Sequence, residues 1–268
     1  MKISLGKWLL PLYSALALVF LMVPIVYTFV FSFNDSLKSN ITWRGFTFDK
    51  WLKVCEVQNG AVCEAFTNSL IIGAVATVAA TVMGTMIAIA VVRYRFRFRS
   101  ATSLLLFMPM ATPEVVLGAG LAAQFLQVGV PKDMVTIILA HTMFCISFVV
   151  VTVKARVASL DPALEEAGQD LYGAPGQVFM RITFPLLLPG ILAAALLSFA
   201  LSFDDFIITN FNSGSVTTFP KYIYISASRG IPAEANVIAS AVFILALVIV
   251  VTTQVSTAAR AKRLAKLS

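Results

Sequence analysis

Residues 66–92 read FTNSLIIGAVATVAATVMGTMIAIAVV, 27 positions without a charge, and they run straight into Arg93-Tyr94-Arg95-Phe96-Arg97-Phe98-Arg99. At a rise of about 1.5 Å per residue, an apolar helix of that length crosses hydrocarbon roughly 30 Å thick. In lipid no water is present to satisfy backbone N–H and C=O groups, so a spanning segment of this kind must be helical. The basic and aromatic residues that follow stand where the helix would meet the headgroups. Long cationic side chains snorkel there and rings anchor. Interleaved Arg and aromatic residues also occur in nucleic-acid-binding segments, but the position directly after an apolar run decides for the membrane, and no nucleic-acid partner is expected.

The rest of the chain agrees with that reading. Of its 268 residues 59% are hydrophobic and 12% charged, with a mean hydropathy of +0.89. Soluble domains carry about 25% charged residues, and one core could not hide so much apolar surface. Further apolar runs occupy Leu9–Phe31, Thr102–Phe125 (interrupted by Pro109 and Pro113), Met134–Val153, Phe184 to about Asp204, and Val237–Val255. The first follows Lys2 and Lys7 as a signal peptide would, but it is too long and no small-residue cleavage site follows, so an uncleaved helix is expected. The predicted fold is an all-α polytopic membrane protein with about six transmembrane helices. It forms one transmembrane domain over residues 1–268, with loops at about 34–65 and 154–183.

With an even number of spans both termini share one side. That side carries Lys2, Lys7, Arg93, Arg95, Arg97, Arg99, Lys154, Arg156, Arg181, Arg260, Lys262, Arg263 and Lys266, 13 of the 20 basic residues. The positive-inside rule places it in the cytoplasm. The 34–65 loop is then external. Its Cys55 and Cys63 pair if that compartment is oxidising and stay free thiols otherwise. Cys145 and the lone His141 lie in an apolar run and are read as packed helix residues, and no metal site is expected. Gly73, Ala74, Ala76, Ala79, Ala80 and Gly84, and later Ala193, Ala194, Ala195 and Ala200, give the second and fifth spans small faces that let helix backbones approach.

The segment Lys154–Thr183 stands apart. A passive connection between neighbouring helices usually has about 2–8 residues. Asp161-Pro162 suits a helix start, with Asp as cap and Pro in the first turn. Ala163 to Leu171 contains good helix formers, Gly173-Ala174-Pro175-Gly176 breaks them, and a second short helix is expected over Gln177–Ile182. The pattern is a compact helix–turn–helix suited to docking a soluble partner.

Leu164-Glu165-Glu166-Ala167-Gly168-Gln169-Asp170-Leu171, with Phe179, Ile182-Thr183 and Phe184-Pro185, resembles the EAA loop of type I (MetI-like) ABC-importer permeases. The resemblance implies that Glu165, Glu166, Ala167, Gly168, Asp170, Leu171, Tyr172, Gly173 and Phe179 form a coupling helix that inserts into a groove on an ATPase subunit. Two positions depart from the pattern. Gly168 replaces its second Ala, and Tyr172 stands at its usual Gly, so the turn is expected from Gly173. The chain has no G-x-x-x-x-G-K-[ST] of its own, so it is not expected to be an enzyme or to hold a cofactor. ATP and Mg would sit on two separate ATP-binding-cassette subunits. A second permease and an external solute-binding protein would complete the assembly in the bacterial inner membrane.

Carboxylates in or beside membrane spans are expensive and become functional candidates by default. Glu114, after Pro113 in the broken third span, and Asp204-Asp205, between Phe203 and Phe206, fall in the outer half of their spans and could meet along one path. Carboxylates flanked by rings suit an organic ammonium. The same aspartates equally suit capping a half-helix or pairing with a partner permease. Ser198–Phe206, Asn212-Ser213-Gly214, Phe219-Pro220, Pro232–Asn236, Ser32-Phe33-Asn34, Met108-Pro109 and Pro113–Val116 are similar to spermidine/putrescine permeases. Relatives handling opines or aminophosphonates look alike here. A secondary transporter would show repeats and intramembrane ion sites, and a membrane enzyme would show clustered His, Cys or carboxylates. Neither pattern is present.

Overall fold

The computed structural model describes residues 6–36, 42–56, 60–228 and 230–264. Among these the chain forms α1 (Gly6–Phe31), α2 (Asp49–Leu52), α3 (Ala61–Arg93), α4 (Arg99–Ala111), α5 (Glu114–Gln127) and α6 (Met134–Ala158). There follow α7 (Ala163–Asp170), α8 (Pro175–Val178), a π-turn (Phe179–Thr183), α9 (Phe184–Asp204), α10 (Ile207–Asn212), α11 (Phe219–Ala227) and α12 (Ala233–Leu264). The chain divides into two compact units, Met1–Cys63 with Ile223–Ser268, and Glu64–Tyr222.

Among the described residues five helical segments are long and apolar enough to cross a membrane, and α4 with α5 are so as a pair bent by 106°. The third span is therefore two half-helices rather than one helix with a kink. Pro109 lies inside α4, and the break falls at Thr112-Pro113. Pro113 pushes Thr112 to extended geometry, ψ 132°. Glu114 thus opens a new helix and is not part-way along an old one. Arg93 at the end of α3 pairs with Glu165 on α7, and α6 ends just before α7, so the segment between α3 and α6 must return to the far end of α6. The bent pair makes that traverse.

Other boundaries also shift. The 34–65 loop ends at Gly60, because α3 already begins at Ala61, and α6 runs on to Ala158. The short helix predicted at Gln177–Ile182 is not separate. Residues Pro175–Asp204 form one helical stretch of 30 residues, and the missing N–H of Pro185 is absorbed by the π-turn. Pro185 has no N–H to donate to the preceding turn, and Phe184 N–H reaches back five residues to the Phe179 carbonyl, a π-type bond at a position where the α ladder is interrupted.

In the Glu64–Tyr222 unit, α6 is the central helix. Asp133 and Thr136 cap it reciprocally, with Val135 N–H and Thr136 N–H donating to Asp133 Oδ1 and Asp133 N–H to Thr136 Oγ1. Its Ala140, Phe144, Cys145, Val149 and Val153 join Ala80 and Ala88 of α3 and Leu187, Ile191 and Ala194 of α9 in the core. The small-residue faces are only partly used: Ala76, Ala80 and Ala194 are buried, whereas Ala74, Ala193 and Ala200 are exposed in the isolated chain. In the other unit, Lys50 of α2 pairs with Glu234 of α12 at 3.0 Å, with side chains 11% and 3% exposed. Trp51 Nε1 donates to Ser32 Oγ, and Phe33 is enclosed by Phe46, Phe48 and Trp51. Cys55 and Cys63 are joined as a disulfide, Cα atoms 5.5 Å apart.

A Cβ added at Gly84 would lie 2.7 Å from Val149 Cγ1 and 2.8 Å from its Cβ. Gly84→Val is therefore expected to push α3 off α6 and destabilise the bundle by about 1–3 kcal/mol. Thermal unfolding in detergent measures this, and a melting temperature equal to that of the unchanged chain would contradict the packing.

Candidate functional site

The loop helix α7 starts where Asp161-Pro162 predicts. Ala163 N–H donates to Asp161 Oδ1 at 3.0 Å. One face of α7 looks outward: Glu166, Ala167 and Asp170 are exposed, and beyond the helix Leu171 is 82% and Tyr172 100% exposed. An exposed leucine and tyrosine beside two carboxylates, on a rigid turn, form a projecting surface rather than a core. The opposite face is occupied by Gly168, which is buried, and by Glu165. Glu165 therefore separates from the residues with which it is grouped by sequence. Its Oε1 accepts from Arg93 Nη2 at 2.9 Å and from Thr183 Oγ1 at 3.2 Å. Phe179 is half-buried beside Phe184 and lines a cavity of about 180 Å³ with Arg93, Glu165, Gln169 and Thr183.

The turn after α7 is made differently from expectation. Tyr172 itself takes the left-handed conformation, φ 61°. The residue at the usual Gly position thus keeps a backbone geometry that favours glycine, at a steric cost of roughly 1–2 kcal/mol. Gly173 is needed for another reason. A Cβ there would meet the Gly168 carbonyl oxygen at 2.7 Å and Val178 Cγ2 at 3.0 Å. At Gly168 a Cβ would meet Ile182 Cδ1 at 2.7 Å, the mobile tip of a side chain.

The second site is a cavity of about 470 Å³ whose lining includes Glu114, Asp204, Asp205, Phe206 and Phe144. The three carboxylates predicted to share a path thus line one space, but they are not equivalent. Asp205 is 4% exposed in its side chain and fully engaged. It receives Ile208 N–H on Oδ1 and Thr209 N–H on Oδ2 at the start of α10. Its Oδ2 also lies 3.1 Å from His141 Nε2. Of the roles open to it, capping a half-helix is the one its contacts fill. Asp204 and Glu114 are exposed to the cavity, and among the described residues neither has an ion-pair partner. Phe206 lines the cavity, whereas Phe203 turns away, stacking on Phe199 and meeting Phe66 edge-on.

His141 is packed as predicted, but the sequence reading missed what it holds. Nδ1 lies 2.7 Å from Ser202 Oγ, and Nε2 lies 3.0 Å from Thr209 Oγ1 as well as near Asp205. Ser202, Asp205 and Thr209 lie on both sides of the break between α9 and α10, so no single helical periodicity marks them in the sequence. Arg93, read as a snorkelling residue, is instead 19% exposed and paired, while Arg95, Arg97 and Arg99 are exposed. Among the described residues no three His, Cys, Asp or Glu side chains come together as a metal site.

These glycine environments separate two substitutions. Gly173→Ala forces a Cβ against the Gly168 carbonyl and is expected to cost about 1–3 kcal/mol, whereas Gly168→Ala meets only side-chain atoms of Ile182 and Val178 and is expected to cost less. Thermal unfolding of the two variants side by side tests the order, and a Gly168→Ala chain less stable than Gly173→Ala would reverse it.

The family described as the binding-protein-dependent transport system inner membrane component matches residues 65–265. The spermidine/putrescine transport system permease protein PotC of Escherichia coli (strain K12) is 33% identical over 236 residues, 88% of each chain. The putrescine transport system permease protein PotI of the same organism is 35% identical over 84% of this chain and 82% of its own. Among solved structures, a bacterial ABC transporter involved in the import of the acidic polysaccharide alginate superposes with a TM-score of 0.67 at 16% identity, over 93% of this chain and 94% of that one. The alginate transporter in complex with its pentasaccharide-bound periplasmic protein gives a TM-score of 0.66 at 19% identity, over 92% and 91%. Those two likenesses establish the fold. The family match over most of the chain and the two permease relatives place this multi-pass membrane protein among the permease subunits of ABC importers: the chain belongs to the family of inner membrane components of binding-protein-dependent transport systems.

Proposed function

We propose that this permease passes a polyamine such as spermidine or putrescine, or a related small organic amine, into the cell. The observation that carries the substrate class is the pair of unpaired carboxylates, Glu114 and Asp204, on one cavity with Phe206 and Phe144. An alkyl ammonium gains Coulomb attraction and cation–π contact in such a space, and its methylene chain suits the apolar lining. The names of the relatives PotC and PotI point the same way. An opine or aminophosphonate, which also carries an amine, is the alternative.

The energy comes from outside the chain. In this reading two ATP-binding-cassette subunits hold ATP and Mg, and one of them receives the exposed face of α7 formed by Glu166, Ala167, Asp170, Leu171 and Tyr172. A second permease completes the pore, and a solute-binding protein delivers the amine from outside, as the family description and the alginate complex support. Both termini and α7 face the cytoplasm, following the basic residues. The disulfide of Cys55 and Cys63 supports an external, oxidising side for the opposite loop.

Glu114→Gln and Asp204→Asn are each expected to lower polyamine uptake about ten- to hundredfold, the scale of one charge-assisted contact, without loss of stability. Asp205→Asn should instead lower thermal stability, because an amide NH2 replaces one of the two acceptor oxygens that receive Ile208 N–H and Thr209 N–H and face His141. Uptake into proteoliposomes with the cognate binding protein reads the first effect. Full transport by the Glu114→Gln/Asp204→Asn double variant would remove the cavity from the path.

Reversing charge at Glu166 and enlarging Ala167 is expected to release the co-purified ATPase while leaving the permease folded. Retention of both the ATPase and uptake by that variant would show that α7 neither docks nor faces the cytoplasm.

A further inference from the structure

We infer that Arg93 and Glu165 form a latch that makes α3 move with α7, so that α3 carries the docking motion to the aromatic residues beside Asp204. The inference rests on the reading of α7 as the docking helix.

Helix α7 leans mainly on its own loop, with Gly168 seated against Val178 and Ile182. Among the described residues, the ion pair recorded between α7 and a membrane-spanning helix is Arg93 with Glu165, 2.9 Å apart and partly buried, at 19% and 28% side-chain exposure. Glu165 also accepts from Thr183 of the π-turn at 3.2 Å, so one carboxylate ties α3, α7 and the start of the α9 stretch. The surroundings are not packed solid: the cavity of about 180 Å³ lies against Arg93, Glu165 and Gln169. A polar tie across a cavity transmits displacement only while it is made. Once it is lost, α7 can tilt into the free space without moving α3.

Helix α3 is uninterrupted to Arg93. From Phe66 to Arg93 it spans roughly 40 Å at 1.5 Å per residue. Its far part is fixed to the segment that carries Asp204. Phe66 meets Phe203 edge-on at 5.9 Å and Phe219 at 5.9 Å, and Gly73 sits against Phe199. Asn68 Nδ2 donates to the Thr217 carbonyl, and Phe219 N–H donates to Ser69 Oγ. Phe203 immediately precedes Asp204, and Phe199 stacks on Phe203. An axial or tilting motion at Arg93 is thus felt beside Asp204 through contacts already in place, with no break in α3 to absorb it.

The test uses the full permease–ATPase complex in proteoliposomes with binding protein, measuring amine uptake per ATP hydrolysed. Arg93→Gln and Glu165→Gln should keep the ATPase bound but lower uptake per ATP about tenfold, within the range over which coupling energies act. The swapped pair Arg93→Glu/Glu165→Arg should recover most of the ratio, which loss of fold or of docking would not permit. The latch is refuted by single variants that retain the original ratio, or by a swapped pair whose ratio stays as low as that of the single variants. A failure of docking itself is seen separately, as an ATPase that ignores the changes at Glu166 and Ala167.

Discussion

Hydrocarbon cannot hydrogen-bond a peptide group, and this constraint governs where the chain is allowed to stop being helical. Each interruption within or beside a span comes with its own satisfaction of the freed groups. At Pro113 the Thr112 hydroxyl and N–H both return to the Met108 carbonyl, and Val116 and Leu117 N–H turn to Pro113. After Asp204 the Asp205 carboxylate receives the first free N–H groups of α10. Before Pro185 the ladder widens into a π-turn. The three interruptions coincide with the groups of functional interest: Glu114 at the first, Asp204 at the second, Thr183 and its bond to Glu165 at the third.

Two of these interruptions are held against each other. A Cβ at Gly118 would approach Ile208 Cα at 3.2 Å, so α5 and α10 meet almost backbone to backbone. Asn212 Nδ2 donates to the Gly118 carbonyl, and Thr136 Oγ1 donates to the Asn212 carbonyl. With His141 bridging Ser202, Asp205 and Thr209, the half-helices are fixed by polar contacts in an apolar setting, where an unmade bond is costly. Asp204 and Glu114 are left over from this network. Their charge is available to a ligand because the neighbouring carboxylate, and not they, does the structural task.

The Leu164–Leu171 motif shows a similar division within one short helix. Adjacent glutamates point to different partners, since residues one apart on a helix do not share a face. Glu166 is presented outward with Ala167, Leu171 and Tyr172, and Glu165 is directed to Arg93. A turn that places tyrosine in a left-handed conformation keeps that ring fully exposed at the tip. Such a geometry spends a little local stability on projecting a large side chain.

Much of this was legible in the residues themselves. Apolar runs of more than 20 residues can only be membrane helices at this composition, and Asp161-Pro162 and the Leu164–Leu171 pattern located the short helix α7, because these signals depend on spacing along one helix or on transfer of the chain into lipid. What required the tertiary structure were contacts between residues far apart in the chain. The 72-residue separation of Arg93 and Glu165, and the 64 of His141 and Asp205, leave no local periodicity to read. Nor did sequence separate Asp205 from Asp204, since two adjacent carboxylates look alike until folding gives one of them every available hydrogen bond and leaves the other facing an open cavity.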